Sequence, residues 1–147
     1  MAKWPRFGFG KSRLSKDIGK NRALRIQQKM LDHTLNVARY LKDHELVEVS
    51  LAMSGIGLKH SRRICNKLGI KNYHLQGKGC LGEKMRRQIQ YNFKYSYKYK
   101  KKDIIIIGSD LPNLCHIDVL LAISKLKSND IVLGPSNDGG YWLIAFS

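Results

Sequence analysis

The sequence predicts one α/β domain with a mostly parallel sheet. Segments with strand-like and helix-like patterns alternate from one end of the chain to the other, which is typical of a sheet covered by helices on both sides. The four isoleucines of Ile104–Ile107 form a continuous β-branched run, as expected for a central parallel strand buried on both faces. Residues 1–147 contain no internal repeat and no linker long enough to divide them.

The elements follow one another in a regular order. Apolar residues at helical spacing predict a helix over residues 20–43, and alternation at period two predicts a strand over Val47–Met53. A second helix follows over Leu58–Leu68 and ends at Gly69. The remaining predicted elements are a strand over Asn72–Leu75, a helix over Leu81–Phe93, a strand over Asp103–Ile107, a helix from about His116 to Lys127, and strands over residues 130–134 and 141–146.

Composition restricts the class of protein. The chain of 147 residues is long enough to bury a core, and it shows neither a signal pattern nor a membrane-length apolar run. Its three cysteines, which have neither a paired nor a zinc-binding spacing, indicate a reduced, cytoplasmic protein without a membrane partner. The net charge of +16 permits nucleic-acid binding, but a charge run is more often a solvated face.

The stretch "FGFGKSRL" predicts a phosphate-binding loop at the carboxyl end of the first central strand. Gly8 and Gly10 make backbone amides accessible, while Lys11 and Arg13 provide two cations beside the hydroxyl of Ser12. The stretch matches neither the P-loop nor the dinucleotide fingerprint in full. The alternative is a flexible basic arm.

The start of the chain supplies little of the strand that should precede this loop. Met1–Lys3 can form only the last residues of that strand, and the chain stops on an apolar strand. We therefore expect a partial chain that lacks most of its first strand and its C-terminal elements. A shortened but complete sheet is the alternative.

Two carboxylates follow predicted strands. Asp110, in "IIIIGSDLPNL", is expected at the cleft, where a carboxylate can hold Mg²⁺ beside phosphates. Asp138, in "GPSNDGGYWLI", could share that metal or orient an acceptor, with Gly139 and Gly140 allowing close approach of the ligand. The alternatives are an N-cap or turn aspartate for Asp110 and a hairpin turn for Asp138.

A third candidate stretch, "QGKGCLGEKM", precedes a predicted helix. Gln76 and Gly77, with Gly79, lie where the amino end of that helix could meet an anion. Glu83 in the first turn favours the helix dipole. The five histidines have no ligand spacing, and nothing suggests a Ser-His-Asp or Cys-His arrangement.

Taken in order, "KWPRFGFGKSRL", "QGKGCLGEKM", "GSDLPNL" and "GPSNDGGYWLI" resemble the rSAM/selenodomain-associated, glycosyltransferase-like transferases. These belong to the nucleotide-diphospho-sugar transferase superfamily, with the lactyl-phosphate and molybdenum-cofactor guanylyltransferases as more distant relatives. The resemblance implies a three-layer, Rossmann-like sandwich. It also implies a nucleotidyl- or glycosyltransferase that uses a nucleoside triphosphate or nucleotide sugar, Mg²⁺ (or Mn²⁺) and a small acceptor.

By motif position, the resemblance implies roles for individual residues. Lys11, Arg13 and Asp110 would be catalytic, with Asp110 and Asp138 at the metal. The nucleotide would contact Gly8, Gly10, Lys11, Ser12, Arg13, Gln76 and Gly77, and the acceptor side would be formed by Asp138, Gly139 and Gly140. Members carry a complete first strand and further C-terminal elements, so activity of this chain alone is in doubt.

Two other functions stay open. The stretch "YNFKYSYKYKKK", residues 91–102, interleaves tyrosines with lysines, as a stacking surface for nucleic acid would. Against nucleic-acid binding, Phe93 and Tyr95 fall where a helix would bury some of the aromatic residues, and no RNA-binding signature is present. The other possibility is a non-catalytic remnant that binds nucleotide weakly.

Overall fold

The computed structural model describes residues 1–95 and 103–147 and confirms the α/β class. The predicted run of charge at Tyr97–Lys102 lies outside the described residues. The elements in chain order are β1 (Ala2–Lys3), α1 (Ser12–Ile18), α2 (Lys20–Asp43), β2 (Ser50–Ser54), α3 (Leu58–Lys67), β3 (Asn72–Leu75), α4 (Leu81–Tyr95), β4 (Ile104–Ile107), α5 (His116–Leu126), β5 (Ile131–Pro135) and β6 (Tyr141–Phe146). No helix among the described residues is both long enough and apolar enough to cross a bilayer.

The chain divides into two compact units. The amino-terminal unit comprises Ala2–Leu75 and the short segment Ser109–Leu114, and the carboxyl-terminal unit comprises Met1, Gln76–Gly108 and Cys115–Ser147. The prediction of a single domain over residues 1–147 therefore stays a prediction. The segment Ser109–Leu114, which carries Asp110, belongs to the same unit as the loop with Lys11.

The amino-terminal unit contains the parallel sheet that the sequence predicts. Its strand order is β1-β2-β3, and Ala2 is in register with Met53 while Met53 is in register with Leu75. Helices connect the strands, as parallel pairing requires. The core of this unit is formed by buried residues from β1, α2, β2, α3 and the segment before β3: Ala2, Leu31, Leu35, Leu51, Met53, Cys65 and Ile70.

The boundaries of α2 are those predicted, because its apolar stripe is long. Ala23, Leu31, Leu35 and Leu41 are buried, but Ile26 of the predicted stripe is exposed. Helix α1 was not predicted and begins inside the stretch interpreted as a loop. It has seven residues and none of them is buried, so it carries no hydrophobic period that could reveal it.

The carboxyl-terminal unit contains a second sheet, with strand order β4-β6-β5 and antiparallel pairing throughout. The expectation that Ile104–Ile107 forms a parallel strand buried on both faces is wrong. All four isoleucines are half-buried, and β4 pairs antiparallel with β6. The turn of residues 136–140 returns β6 alongside β5, which only antiparallel strands allow, and β6 then pairs with β4 on its other side.

One buried titratable group lies inside the parallel sheet. The imidazole of His74 on β3 is 9% exposed, and its Nε2 lies 2.7 Å from Oγ of Ser50 on β2. Burial lowers the pKa of His74 below its usual value of 6.5 because the charged imidazolium loses its hydration. His74 is therefore protonated at a lower pH in the folded protein than in the unfolded chain.

We expect this histidine to make the fold less stable as pH falls. Because the pKa of His74 is lower in the folded state, the unfolded state binds more protons below about pH 6.5, and the free energy of unfolding decreases there. Denaturant unfolding at pH 7.5 and pH 5.5 should show a smaller loss in His74→Gln than in the unchanged protein. His44→Gln, at an exposed site, is the control and should retain the full loss. An equal loss in His74→Gln would contradict the assignment.

Candidate functional site

The loop between β1 and α1 carries the predicted phosphate-binding residues. Its start is tied to β2, since the backbone N–H of Trp4 donates to the carbonyl of Ser54 at 2.8 Å. A turn follows, closed by a hydrogen bond from Phe9 N–H to the Arg6 carbonyl at 3.0 Å. The loop thus lies at the carboxyl end of the parallel sheet, where ligands bind in α/β proteins.

Lys11 ends this loop in an uncommon backbone conformation. Its φ of 50° and ψ of 44° lie in the left-handed region, which few residues other than glycine adopt. Helix α1 begins at the next residue, Ser12, and the Lys11 carbonyl accepts the hydrogen bond of Ser15 N–H at 2.8 Å. The backbone on both sides of Lys11 is therefore held in a turn.

The structure brings Lys11 and Asp110 together. Nζ of Lys11 lies 2.9 Å from Oδ2 of Asp110, and these side chains are 24% and 57% exposed, respectively. An ion pair that solvent reaches this freely contributes less than about 1 kcal/mol to stability. The contact thus joins two predicted site residues without being a major support of the fold.

The segment that carries Asp110 is held by other groups. Leu114 is buried, and its carbonyl oxygen lies 2.8 Å from Nε2 of His33 on α2. Because a carbonyl only accepts, Nε2 of His33 must carry the proton in this hydrogen bond. The sequence does not indicate this role of His33, since its partner is 81 residues away and no local spacing connects the two.

Asp110 is not the N-cap of the helix that follows. Helix α5 begins at His116, and its amino end is closed by Asp118, whose Oδ2 accepts the Cys115 backbone N–H at 2.8 Å. Of the two alternatives to a ligand role, the N-cap interpretation is therefore excluded. The turn interpretation stays open.

The remaining residues of the predicted phosphate loop are at the surface. Ser12 and Arg13 are exposed in the first turn of α1. Within the described part of the chain, Arg13 has no carboxylate partner and its guanidinium is available to an anion.

The stretch Gln76–Cys80 lies in the carboxyl-terminal unit and is held by helix α4. Oε2 of Glu83 accepts a hydrogen bond from the Cys80 backbone N–H at 2.7 Å, and this bond caps the helix. The same bond is the main reason that the pKa of Glu83 lies below its usual value. The guanidinium of Arg87 donates to the carbonyl of Gln76, at 2.9 Å from one terminal nitrogen, and to the carbonyl of Lys78. These contacts order the stretch without any ligand, and the nucleotide contacts predicted for Gln76 and Gly77 stay predictions.

Asp138, also in the carboxyl-terminal unit, closes the turn between β5 and β6. Its Oδ1 accepts hydrogen bonds from the Ser136 hydroxyl and, at 3.2 Å, from the Gly140 N–H. These two bonds, the Ser136 bond first, lower the pKa of Asp138 below its usual value. The alternative interpretation of this stretch as a hairpin turn is therefore confirmed. Whether Asp138, Gly139 and Gly140 also face a metal or an acceptor stays a prediction.

The described residues contain no group of three or more histidine, cysteine, aspartate or glutamate side chains that could hold a metal ion. A magnesium site on Asp110 would therefore take most of its oxygen ligands from water and from phosphate. That donor set is usual for Mg²⁺, which keeps several waters and binds through one or two carboxylates.

The fold is similar to that of a protein of known structure. Over 98% of its length the chain matches, at 26% identity and a TM-score of 0.74, the crystal structure of a protein from Desulfovibrio desulfuricans G20. That protein is described as a "putative nucleotide-diphospho-sugar transferase", and this chain spans 59% of its length. No curated protein matches the chain significantly.

The chain belongs to the DUF2064 family, whose description is "uncharacterized protein conserved in bacteria". The family model matches residues 36–147, which include Asp110 and Asp138. The predicted membership of the nucleotide-diphospho-sugar transferase superfamily is supported by both matches. The closer resemblance to rSAM/selenodomain-associated transferases and to the guanylyltransferases stays a prediction.

Replacement of Gly79 should disturb the cap of α4. Gly79 has a φ of +108°, and an added Cβ would collide with the Glu83 carboxylate. We expect Gly79→Ala to lower the free energy of unfolding by about 1–3 kcal/mol, from backbone strain and the loss of the cap. Chemical denaturation measures this change.

Gly82→Ala is the matched control for Gly79→Ala. Gly82 lies inside α4, and its added methyl group would meet only the Cys80 sulfur, at 4.0 Å. Alanine at this position, the second residue of the helix, should raise the free energy of unfolding by at most about 0.5–1 kcal/mol, the full difference between glycine and alanine in a helix interior. Equal effects of the two substitutions on the free energy of unfolding would mean that the helix cap formed by Glu83 does not require glycine at position 79.

Proposed function

We propose that this protein binds the phosphates of a nucleotide or nucleotide sugar and takes part in nucleotidyl or glycosyl transfer. The observation that carries the proposal is the pairing of Lys11 with Asp110 at 2.9 Å. It joins a cation of the basic loop after β1 to a carboxylate from a distant part of the chain, at the carboxyl end of a parallel sheet. The similarity to a protein described as a nucleotide-diphospho-sugar transferase supports the same class of reaction.

The loop would hold the phosphates. Lys11 offers a compact charge and Arg13 a planar guanidinium that can contact two phosphate oxygens at once. Gly8 and Gly10 leave the backbone of the loop open to close approach, and the hydroxyl of Ser12 adds a donor beside Arg13. This combination of donors binds phosphate in either a nucleoside triphosphate or a nucleotide sugar.

Asp110 would bind Mg²⁺ (or Mn²⁺) together with those phosphates. Its carboxylate is more than half exposed, and among the described residues the ammonium of Lys11 is its one ion-pair partner. A divalent cation can therefore take up the carboxylate while Lys11 turns to a phosphate oxygen. The other contacts that the family resemblance implies, from Gln76 and Gly77 to the nucleotide and from Asp138, Gly139 and Gly140 to the metal or the acceptor, involve the carboxyl-terminal unit and stay predictions.

The chemistry asked of the chain is positioning and charge neutralisation. When bound, the divalent cation would supply further positive charge at the phosphate oxygens. Lys11 and Arg13 would stabilise the negative charge that develops on the leaving phosphate. No protein nucleophile is needed, so the acceptor itself would attack. The chain spans 59% of the length of the similar protein. The binding of an acceptor is therefore proposed for the whole protein rather than for these residues alone.

Nucleic-acid binding is the second candidate, and one observation favours it. On α4, Tyr91 and Phe93 are 36% and 47% exposed, so the helix does not bury Phe93. An exposed aromatic ring on a basic protein can stack on a base. Binding of this kind should weaken steeply as salt rises, whereas nucleotide binding through Asp110 should require a divalent cation.

Asp110→Asn should abolish the part of nucleotide affinity that depends on magnesium. We expect the affinity for ATP, GTP or UDP-glucose with Mg²⁺ to fall at least about tenfold, since even outer-shell changes at metal sites have effects of this size. Affinity without Mg²⁺ should not fall, because the substitution also releases Lys11 from its ion pair. Calorimetric titration with and without Mg²⁺ measures both. Asp32→Asn on α2, also exposed, is the control; a variant that unfolds would instead mark Asp110 as a structural turn residue.

Replacing Lys11 and Arg13 together by alanine should weaken triphosphate binding selectively. Each charge-assisted contact contributes about 1.5–3 kcal/mol, so the double variant should bind a nucleoside triphosphate at least about tenfold more weakly while binding of the nucleoside is unchanged. Arg63→Ala with Lys67→Ala, on the exposed side of α3, removes the same charge elsewhere. If the triphosphate and the nucleoside lose affinity equally, the loop does not hold phosphate.

A further inference from the structure

We propose that the carboxyl edge of the parallel sheet in the amino-terminal unit carries a surface that binds anionic membranes peripherally. This edge surface consists of exposed apolar residues on two loops and the basic residues beside them: Phe7, Phe9 and Leu58, with Arg6, Lys59 and Arg62. None of these side chains belongs to the proposed nucleotide site. The prediction of no membrane partner rested on the lack of a membrane-length apolar run, which peripheral binding does not require.

Two phenylalanines lie at the turn of the loop after β1. The exposed fraction is 55% for Phe7 and 60% for Phe9, although phenylalanine is among the residues most often buried in folded proteins. The turn is closed by the hydrogen bond from the Phe9 N–H to the Arg6 carbonyl, so both rings are exposed on a defined backbone. Their apolar surface can leave water only if a partner covers it.

The loop after β2 adds a third exposed apolar side chain at the same edge. Leu58, the first residue of α3, is 55% exposed. The two loops are neighbours, because the centres of the Trp4 and His60 rings are 5.3 Å apart. In addition, a Cβ added to Gly55 would lie 3.7 Å from the Trp4 carbonyl oxygen. Exposed apolar residues of both loops therefore lie at one edge of the sheet.

Exposed cations accompany these apolar side chains. Arg6 directly precedes the two phenylalanines, and Lys59 directly follows Leu58. Arg62 lies four residues after Leu58 on α3, on the same side of the helix. All three cations are exposed, and none of them forms an ion pair within the described part of the chain. Their charges are therefore available to an anionic surface.

Acidic residues offset little of this charge. Residues 1–13 and 54–71 contain several lysines and arginines and no aspartate or glutamate. Asp110 reaches the loop after β1, but its carboxylate is paired with Lys11 at 2.9 Å. The next acidic residue along the chain is Asp17, near the end of α1. An anionic membrane thus meets a surface of complementary charge.

The residue types at this edge favour a membrane over a nucleic acid. Leu58 cannot stack on a base, and one face of the Phe9 ring is covered by the Arg6 guanidinium, with Cζ 4.6 Å from the ring centre. Apolar side chains of both kinds can instead enter the boundary between headgroups and acyl chains. The guanidinium and ammonium groups beside them can then remain at the lipid phosphates.

Co-sedimentation with vesicles tests the edge surface. The protein should bind vesicles of phosphatidylserine and phosphatidylcholine in equal parts, and it should bind phosphatidylcholine vesicles at least about tenfold more weakly. Phe7→Ala with Phe9→Ala should weaken binding to the mixed vesicles at least about tenfold, since two apolar rings are removed. Tyr91→Ala with Phe93→Ala, at two exposed aromatic residues of the carboxyl-terminal unit, is the matched control and should leave the affinity unchanged.

The contribution of charge is tested on α3 and the segment after it. Lys59→Gln with Arg62→Gln should weaken binding to the mixed vesicles by about fivefold for each cation removed. Lys67→Gln with Lys71→Gln removes two exposed cations at the opposite edge of the sheet. This control should retain the affinity, because charges more than about 10 Å from the membrane are screened at ordinary ionic strength.

Fluorescence quenching shows whether the loop after β1 enters the bilayer. In mixed vesicles whose phosphatidylcholine is brominated on its acyl chains, the emission of Phe7→Trp should be quenched more than that of the unchanged protein. Phe93→Trp, the same substitution in the other unit, should show no additional quenching. Equal quenching of the two variants by bound vesicles would mean that the protein adheres through charge alone, and this result would overturn the proposal.

Nucleic acid is the alternative partner of this surface. If an oligothymidylate binds, Phe7→Ala with Phe9→Ala abolishes that binding, and mixed vesicles do not bind, the proposal is overturned in favour of nucleic acid. Equal losses of vesicle binding in the variants and their controls would mean general attraction by the net charge of +16 and would overturn it as well. These measurements use neither Mg²⁺ nor nucleotide, so their failure would leave the proposed transfer function unaffected.

Discussion

The parallel pairing of β1 with β2 is the constraint on which the site depends. Only two residue pairs form it, Ala2 with Met53 and Lys3 with Ser54, and the Trp4 N–H extends it by one hydrogen bond. Ala2 and Met53 are both buried in the core of the amino-terminal unit, so burial supports a very short strand. Since parallel strands end at the same edge of a sheet, this pairing makes the loop of Gly8–Lys11 leave the sheet at its carboxyl edge.

The segment with Asp110 is positioned by contacts that do not use the carboxylate. Leu114 is buried, and the His33 imidazole donates to its carbonyl at 2.8 Å. Burial of a leucine contributes about 1.5–3 kcal/mol, whereas an exposed ion pair contributes less than about 1 kcal/mol. The position of the segment is thus determined mainly by Leu114 and His33, and the fold does not depend on the ion pair between Lys11 and Asp110.

How far the sequence predicts the structure depends on the length of each pattern and on the range of each contact. The 24 residues of α2 carry a long apolar stripe, and its boundaries were predicted correctly. Ile104–Ile107 forms a strand as predicted, but four isoleucines in a row show no alternation and say nothing of the antiparallel partner β6. A contact that joins distant residues, such as His33 with Leu114, 81 residues apart, leaves no local signal in the sequence.

The difference between local and long-range contacts also separates the three candidate carboxylates, Glu83, Asp110 and Asp138. Glu83 caps α4 through Cys80, and Asp138 closes its hairpin through Ser136 and Gly140; in both, local hydrogen bonds to the charged form lower the pKa. Their residue types and positions are explained by the turns that contain them. Asp110 pairs instead with a cation 99 residues earlier in the chain, and it does not cap the helix that follows. Of the three carboxylates, Asp110 is the one whose observed partner lies far away in the chain, on the predicted phosphate loop, and the proposed function therefore rests on it.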